Sequence, residues 1–310
     1  MISIIIPVYN RVNLIQETLD SIKNQSFENW ECIVVDDNSS DGVIELLQKA
    51  SEEDSRINFF SRPAALPKGA NSCRNYGFEK SSGDYIIWFD SDDLMTPDHI
   101  ESKLASLLKN KTDFVVARTQ NFQDSTLLEP YTYVKKNYGI KASDFILLKI
   151  HWYTYDVMLK REIAEKIEWN DKMKSWQDYN YFCKMLLITE NGHYLDRILT
   201  KRRIHEHSIQ NNMNKDSETF SIELLENRFL TYEDIQKNID PETRKELIFG
   251  MMNLCVELRK SSLHSVYEKK VIKIVDSVLG TGSLFYFKIA LLSAQFFRKY
   301  HFFLTKAKRR

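Results

Sequence analysis

The chain has 310 residues, with 43 Lys and Arg balanced by 43 Asp and Glu, so its formal net charge is zero and no global field draws it onto nucleic acid. At 43% hydrophobic and 12% aromatic it can bury a real core, as roughly two domains or one domain with an extension. Cys32, Cys73, Cys183 and Cys255 are scattered with no CxxC pair, which suits thiols used as small apolar residues in a reducing compartment.

The first third alternates strand and helix. Ile2 to Val8 is a continuous apolar run closed by Tyr9 and Asn10, which predicts a buried parallel strand with a loop at its carboxyl end. The chain opens directly on this strand, with no basic segment or small-residue cleavage site, so no secretory leader is expected. Helical spacing follows over Val12 to Lys23, then a strand over Glu31 to Val35, a helix over Val43 to Ala50 and a short strand over Ile57 to Phe60. A loop with Pro63, Pro67 and Gly69 leads to a helix over about residues 70 to 80, and Gly83 separates it from a strand over Tyr85 to Phe89. Asp113 to Ala117 is a further strand. This alternation predicts right-handed crossovers and a mostly parallel sheet, with ligands bound beyond the carboxyl ends of its strands.

Three of those ends carry Tyr9-Asn10, Asp36-Asp37 and Asp90-Ser91-Asp92-Asp93. Tyr9 is a stacking face for a flat base, or a packing ring. Asp37 accepts from a base imide or a ribose hydroxyl, or else serves the turn Asn38-Ser39-Ser40-Asp41 as a cap. Asp90, Asp92 and Asp93 repel one another unless a cation neutralises them. Oxygen ligands suit Mg²⁺ or Mn²⁺, whose shells are completed by phosphate and water; the alternative is a solvated acidic turn before the helix start Thr96-Pro97-Asp98. There is no GxGxxG after the first strand and no GxxxxGK[ST], so a glycine cradle for phosphate is not expected.

Ser3 to Asn10, Val34 to Ser39, Cys73-Arg74-Asn75-Tyr76-Gly77 and Asp90-Ser91-Asp92-Asp93, in that order, resemble the family-two inverting glycosyltransferases. The likeness covers about residues 1 to 210. It implies an α/β protein of GT-A fold, the nucleotide-diphospho-sugar transferase architecture, with a nucleotide-sugar donor, usually UDP-linked, and Mn²⁺ or Mg²⁺. Carried across, Pro7 and Tyr9 flank the base with Asn10 on the donor side. Asp37 takes the uracil edge, Asp90 lies near the ribose and sugar, and Asp92 is the metal ligand. Arg74 lies near the donor sugar or diphosphate, or bridges helix and strand ends structurally.

Further along, Ser175-Trp176-Gln177-Asp178 precedes an apolar helical run and resembles the family's Glu-Asp motif, with Gln177 in place of the first acid. The resemblance makes Asp178 the general base; read without it, Asp178 is a helix N-cap. Trp176 and Gln177 fall to the acceptor side, with Trp176 a stacking platform or a core anchor. The aromatics of His151 to Asp156 line the acceptor site or pack the core. Arg203, His205 and Ser208 match the family's Arg-x-His-x-x-Ser, which implies that His205 reaches the metal or diphosphate and Arg203 screens the leaving group. His207 has no such support.

From residue 211 the resemblance fades into a helical C-terminal region, with helices over Glu218 to Gln236, Pro241 to Arg259 and Ser265 to Val278. Leu284 to Lys308 contains no acid, and on a single helix Lys288, Gln295, Lys299 and Lys306 share one stripe. Such a basic amphipathic helix suits an anionic membrane surface, or it docks on the body or in a homodimer. No uncharged apolar run approaches the roughly 18 to 20 residues that span a bilayer. The expected function is metal-dependent inverting transfer from a nucleotide-diphosphate sugar to a glycan or lipid-linked glycan. The expected location is cytoplasmic and peripheral at the inner face of the cell membrane, as in assembly of bacterial surface polysaccharides. A non-catalytic sugar-nucleotide-binding or scaffold protein on the same fold is the alternative, motivated by Gln177.

Overall fold

The computed structural model describes residues 1–124, 126–130, 139–204, 217–260, 266–296 and 300–309. The chain divides into two compact units, Met1–His205 and Glu206–Arg310.

In the first unit, β1 (Ile2–Val8), β2 (Trp30–Asp36), β3 (Ile57–Ser61) and β4 (Tyr85–Trp88) pair in parallel in the order β3-β2-β1-β4. Helices α1 (Val12–Lys23), α2 (Val43–Glu53) and α3 (Ala70–Lys80) form the connections. β1 is buried along its whole length, which its unbroken apolar sequence anticipates, since helices cover both faces of such a strand. α1 turns Ile15, Leu19 and Ile22 inward and α2 turns in Val43, Leu47 and Ala50, the i, i+4, i+7 spacing of a one-sided helix. Pro7 sits in β1 two residues beyond Ile5, where pairing with β4 has already ended. Its missing N–H therefore leaves no ladder bond unmade. Gly77 lets α3 lie against the sheet, because a Cβ there would fall 2.7 Å from a methyl of Ile5 and 3.2 Å from one of Val35.

Beyond β4 the sheet is mixed, unlike the parallel first half. After β5 (Leu94–Met95) and α4 (His99–Asn110) come β6 (Phe114–Gln123), β7 (Thr126–Pro130), α5 (Ala142–Ile146), β8 (Val157–Lys160), α6 (Arg161–Ala164), α7 (Gln177–Ile188) and β9 (Gly192–Arg203). The order continues β4-β8-β6-β9-β5, with β7 on β6. β8 is antiparallel to both β4 and β6, whereas β9 runs parallel to β6. The strand expected over 113–117 continues to Gln123 because β9 pairs with it as far as Phe122↔Arg203. This long pair carries Arg202 and Arg203 to the rim.

The second unit contains α8 (Ser217–Ile235), α9 (Pro241–Lys260) and α10 (Val266–Ile274). A π-helical turn (Val275–Leu279) then leads into α11 (Gly280–Phe296), followed by α12 (Tyr300–Arg309). The single terminal helix expected over 284–308 is thus two helices, and the stripe from Lys288 to Lys306 does not exist as one line. α12 folds back: Lys306 lies 5.5 Å from the Tyr286 ring, Lys308 donates to Glu246 at 2.7 Å and the Tyr300 hydroxyl to Glu257 at 2.8 Å. α11 is apolar around most of its circumference, and such a helix needs more than one cover. Phe287, Ala290, Leu291 and Ala294 are buried. Val266–Ala294 is long enough to cross a membrane and holds an 18-residue stretch of mean hydropathy 1.4, which its charged residues hide from a search for uncharged runs. All four cysteines are buried free thiols.

Candidate active site

The strand order reverses between β1 and β4, and in open α/β sheets the carboxyl ends at such a switch point border the ligand crevice. Here the residues after β1, β2 and β4 share that rim, and each has a distinct task.

Tyr9 is 43% exposed, and the ammonium of Lys68 lies 4.0 Å from its ring centre. The turn after β2 is capped by other residues than Asp37. Asp36 accepts from the amides of Asn38 (3.0 Å) and Ser39 (3.2 Å), while Asp41 accepts from Val12 (2.8 Å) and Val43 (3.2 Å). Asn10, in the left-handed region at φ 49°, pins the same turn: its Oδ1 accepts from the Ser40 amide and its own amide donates to Ser39 Oγ, both at 2.9 Å. Asp37 instead meets Arg62, whose Nε donates to it at 2.5 Å between two buried side chains. Sequence reading passed over Arg62. The signal was a cation directly after β3, whose last residue, Ser61, pairs with Asp36.

The acidic loop after β4 is divided in the same way. Asp90 Oδ1 accepts from Arg74 Nη2 at 2.9 Å, and Asp92 lies 3.5 Å from Arg11 Nε. Asp93 is buried and accepts the Arg203 amide at 2.9 Å. Burial holds the Asp93 carboxyl well above the usual carboxylate range, and the charges of Asp92 and Asp90 push it further. Burial raises Asp90 as well, against the pull of Arg74.

Arg74 is 4% exposed and reaches both sides of the crevice. Besides Asp90, its Nη1 donates to Gln177 Oε1 at 2.8 Å and to Asn71 Oδ1 at 3.1 Å, and its guanidinium lies 4.6 Å from the Trp169 ring centre. Gln177 and Asp178 occupy the first turn of α7, where Trp176, at φ 55°, is the residue that precedes the helix. Asp178 is therefore inside the helix and not its N-cap. Its Oδ1 accepts the Tyr179 amide at 2.8 Å. Burial pushes its carboxyl up to about 6, the Asp90 charge adds to the rise, and Arg74 opposes it. Trp176 is half-buried, edge-on to Tyr179 at 5.9 Å. Of the aromatics near residue 153, Trp152 and Tyr155 are core residues and Tyr153 is half-buried.

Successive strand residues face opposite ways, and this separates two arginines at the end of β9. Arg203 turns to α1, donating to Glu17 at 2.7 Å and, through Nε, to the Asp92 carbonyl at 3.1 Å. It clasps the acidic loop from behind. Arg202, not singled out from sequence, lies 5.6 Å from the Tyr153 ring centre and feels the charges of Asp93 and Asp90. His205, His207 and Ser208 lie outside the described residues.

Among the described residues no three His, Cys, Asp or Glu side chains form a metal-holding group. The donor chemistry nonetheless fits a divalent ion bound through one carboxylate, with phosphate oxygens and water completing the shell, as Mg²⁺ usually is. Asp92, at 21% side-chain exposure and 3.5 Å from Arg11 Nε, would offer it a carboxylate oxygen.

Residues 3–168 match the family described as "Glycosyl transferase family 2". The chain is 28% identical over 220 residues to glycosyltransferase GlyA of Streptococcus pneumoniae, covering 67% of this chain and 31% of that protein. It is 32% identical over 155 residues to UDP-Glc:alpha-D-GlcNAc-diphosphoundecaprenol beta-1,3-glucosyltransferase WfgD of Escherichia coli, covering 47% of this chain and 60% of WfgD. The structure of S. aureus TarS 1–349 in complex with UDP-GlcNAc superposes with a TM-score of 0.68 at 16% identity, over 99% of this chain and 89% of that one. At that identity the likeness shows the fold, and the expected GT-A architecture is the one found.

Proposed function

The chain belongs to glycosyl transferase family 2, and from that premise we propose that it moves a sugar from a UDP-sugar to a hydroxyl of a lipid-linked glycan, with inversion. The observation that carries this reading is the bridge from Asp90 through Arg74 to Gln177 beside Asp178, which joins a donor-side carboxylate to a candidate base across one crevice. The UDP donor and the lipid-diphosphate acceptor are supported by the activity in WfgD's name.

In this mechanism the uracil stacks on Tyr9, and its edge meets Asp37, which Arg62 holds in place. Asp90, with Arg74, orients the ribose and sugar. A divalent ion bound at Asp92, with His205 as a further ligand, would supply positive charge to the departing diphosphate. Arg202 adds fixed positive charge on the crevice side, a task first expected of Arg203. Asp178 takes the proton from the acceptor hydroxyl as that oxygen attacks the anomeric carbon. The bond to the diphosphate breaks as the new one forms, its electron pair leaves with UDP, and a single displacement inverts the centre. Trp176 and Gln177 border the acceptor side. Presented on a lipid, the acceptor puts the enzyme at the cytoplasmic face of the cell membrane, in surface-polysaccharide assembly.

The test is transfer and donor hydrolysis across UDP-, GDP- and dTDP-sugars with Mn²⁺, for wild type, Asp178→Asn and Asp92→Ala. Turnover of a UDP-sugar that Asp178→Asn stops, with UDP binding retained, is the expected result. Nucleotide binding without turnover of any donor would favour the scaffold reading, and absence of nucleotide binding would sink both.

A further inference from the structure

The second unit carries a surface that sugar transfer does not use. Phe285, Leu292 and Phe302 are 61%, 62% and 60% exposed, where a folded domain normally hides such side chains. Phe285, Lys288 and Leu292 are spaced i, i+3, i+7 and share one face of α11, opposite the buried Phe287, Ala290, Leu291 and Ala294. α12 extends the patch. Phe285 and Tyr286 are in ring contact at 5.5 Å, Lys306 lies 5.5 Å from the Tyr286 ring and 4.6 Å from Phe302, and Phe302 touches Phe303 at 5.4 Å. Aromatic rings and ammonium groups are thus interleaved on one continuous surface.

We propose that this face of α11 and α12 docks the protein on an anionic phospholipid surface. The charge pattern selects that occupant. From Gly280 to Arg310 the sequence holds seven Lys and Arg and no Asp or Glu; of these, Lys288 and Lys306 lie on the described patch, while Lys308 is turned to Glu246 at 2.7 Å. Lys and Arg near an anionic leaflet are drawn to its negative surface potential, and Phe and Leu beside them enter the headgroup boundary. A second copy of the chain is a poorer partner. A two-fold contact sets the same patch against itself, facing Lys288 and Lys306 with like charges. The contact is peripheral, because the other face of α11 belongs to the core of the unit. It draws on no donor-site residue, so vesicle binding and donor hydrolysis fail independently.

The experiment is co-sedimentation of the full-length protein with phosphatidylcholine vesicles, with and without phosphatidylglycerol, at low and high salt. The wild type is expected to pellet with anionic vesicles, to bind neutral ones at least tenfold less, and to come off in alkaline carbonate. The variant F285S/L292S/F302S should lose binding at least tenfold, and K288E/K306E should lose its salt-sensitive part. Far-UV circular dichroism and donor hydrolysis should stay at wild-type levels in both. Any of three results overturns the proposal: a wild type that ignores anionic vesicles, surface variants that bind like wild type, or protein that resists carbonate. A wild-type dimer that F285S/L292S/F302S converts to monomer, without vesicle binding in either, would assign the face to a second copy instead.

Discussion

If Asp178 is the base, its protonation sets the acid limb of the rate. Its carboxyl is raised from the ordinary 3.8 to about 6, chiefly by burial, and only the ionised form accepts a proton. At pH 7 about nine-tenths of the enzyme is active, whereas at pH 5 only about one-tenth is, a loss near tenfold. An unperturbed carboxylate would lose less than about a tenth over the same interval. The assay is kcat/KM from pH 4.5 to 8, which reports groups of the free enzyme, with circular dichroism at each pH to exclude unfolding. The acid limb should fall with unit slope below about pH 6. Arg74→Lys should move that limb by altering the cation that opposes the rise. A rate that stays flat down to pH 5 with the fold intact would refute the assignment of Asp178.

Arg62→Ala strands the buried Asp37 carboxylate, which should cost about 3 kcal/mol in urea denaturation and weaken UDP binding by calorimetry. Gly77→Ala forces a methyl to within 2.7 Å of Ile5; about 1–3 kcal/mol should be lost in the same denaturation assay, through packing of α3 and not through chemistry. Chelation by EDTA should stop transfer without unfolding the protein. Mn²⁺ or Mg²⁺ should restore the wild type but not Asp92→Ala, as followed by UDP release.

The first half of the fold was legible because its strands are continuous apolar runs and its helices are one-sided; Ile2–Val8 and Val12–Lys23 keep their expected bounds. The mixed half was harder. The extension of β6 to Gln123 depends on β9, a partner about 80 residues away, and no local pattern encodes it. At the site, the residue types at the strand ends were readable but their pairings were not. Asp36 and Asp37 are adjacent and identical, yet one caps a turn and the other meets Arg62. Arg202 and Arg203 are likewise adjacent, and only the pleat of β9 decides which faces the acidic loop's interior. The tail misled because a helical wheel assumes one axis, whereas two helices lie side by side there, with Lys306 of α12 5.5 Å from the Tyr286 ring of α11.

The Arg74 bridge also bears on how such enzymes are re-engineered. One guanidinium is shared between a loop in the first half of the chain and a helix about a hundred residues later. A chimera that takes residues around 140–190 from a relative with Glu in place of Gln177 would bring a second carboxylate onto a cation already committed to Asp90. The graft would then change the charge balance around Asp178 as well as the acceptor pocket. Exchanging acceptor preference therefore means moving position 177 together with its Arg74 and Asp90 contacts as one unit, or restoring Gln177 in the graft.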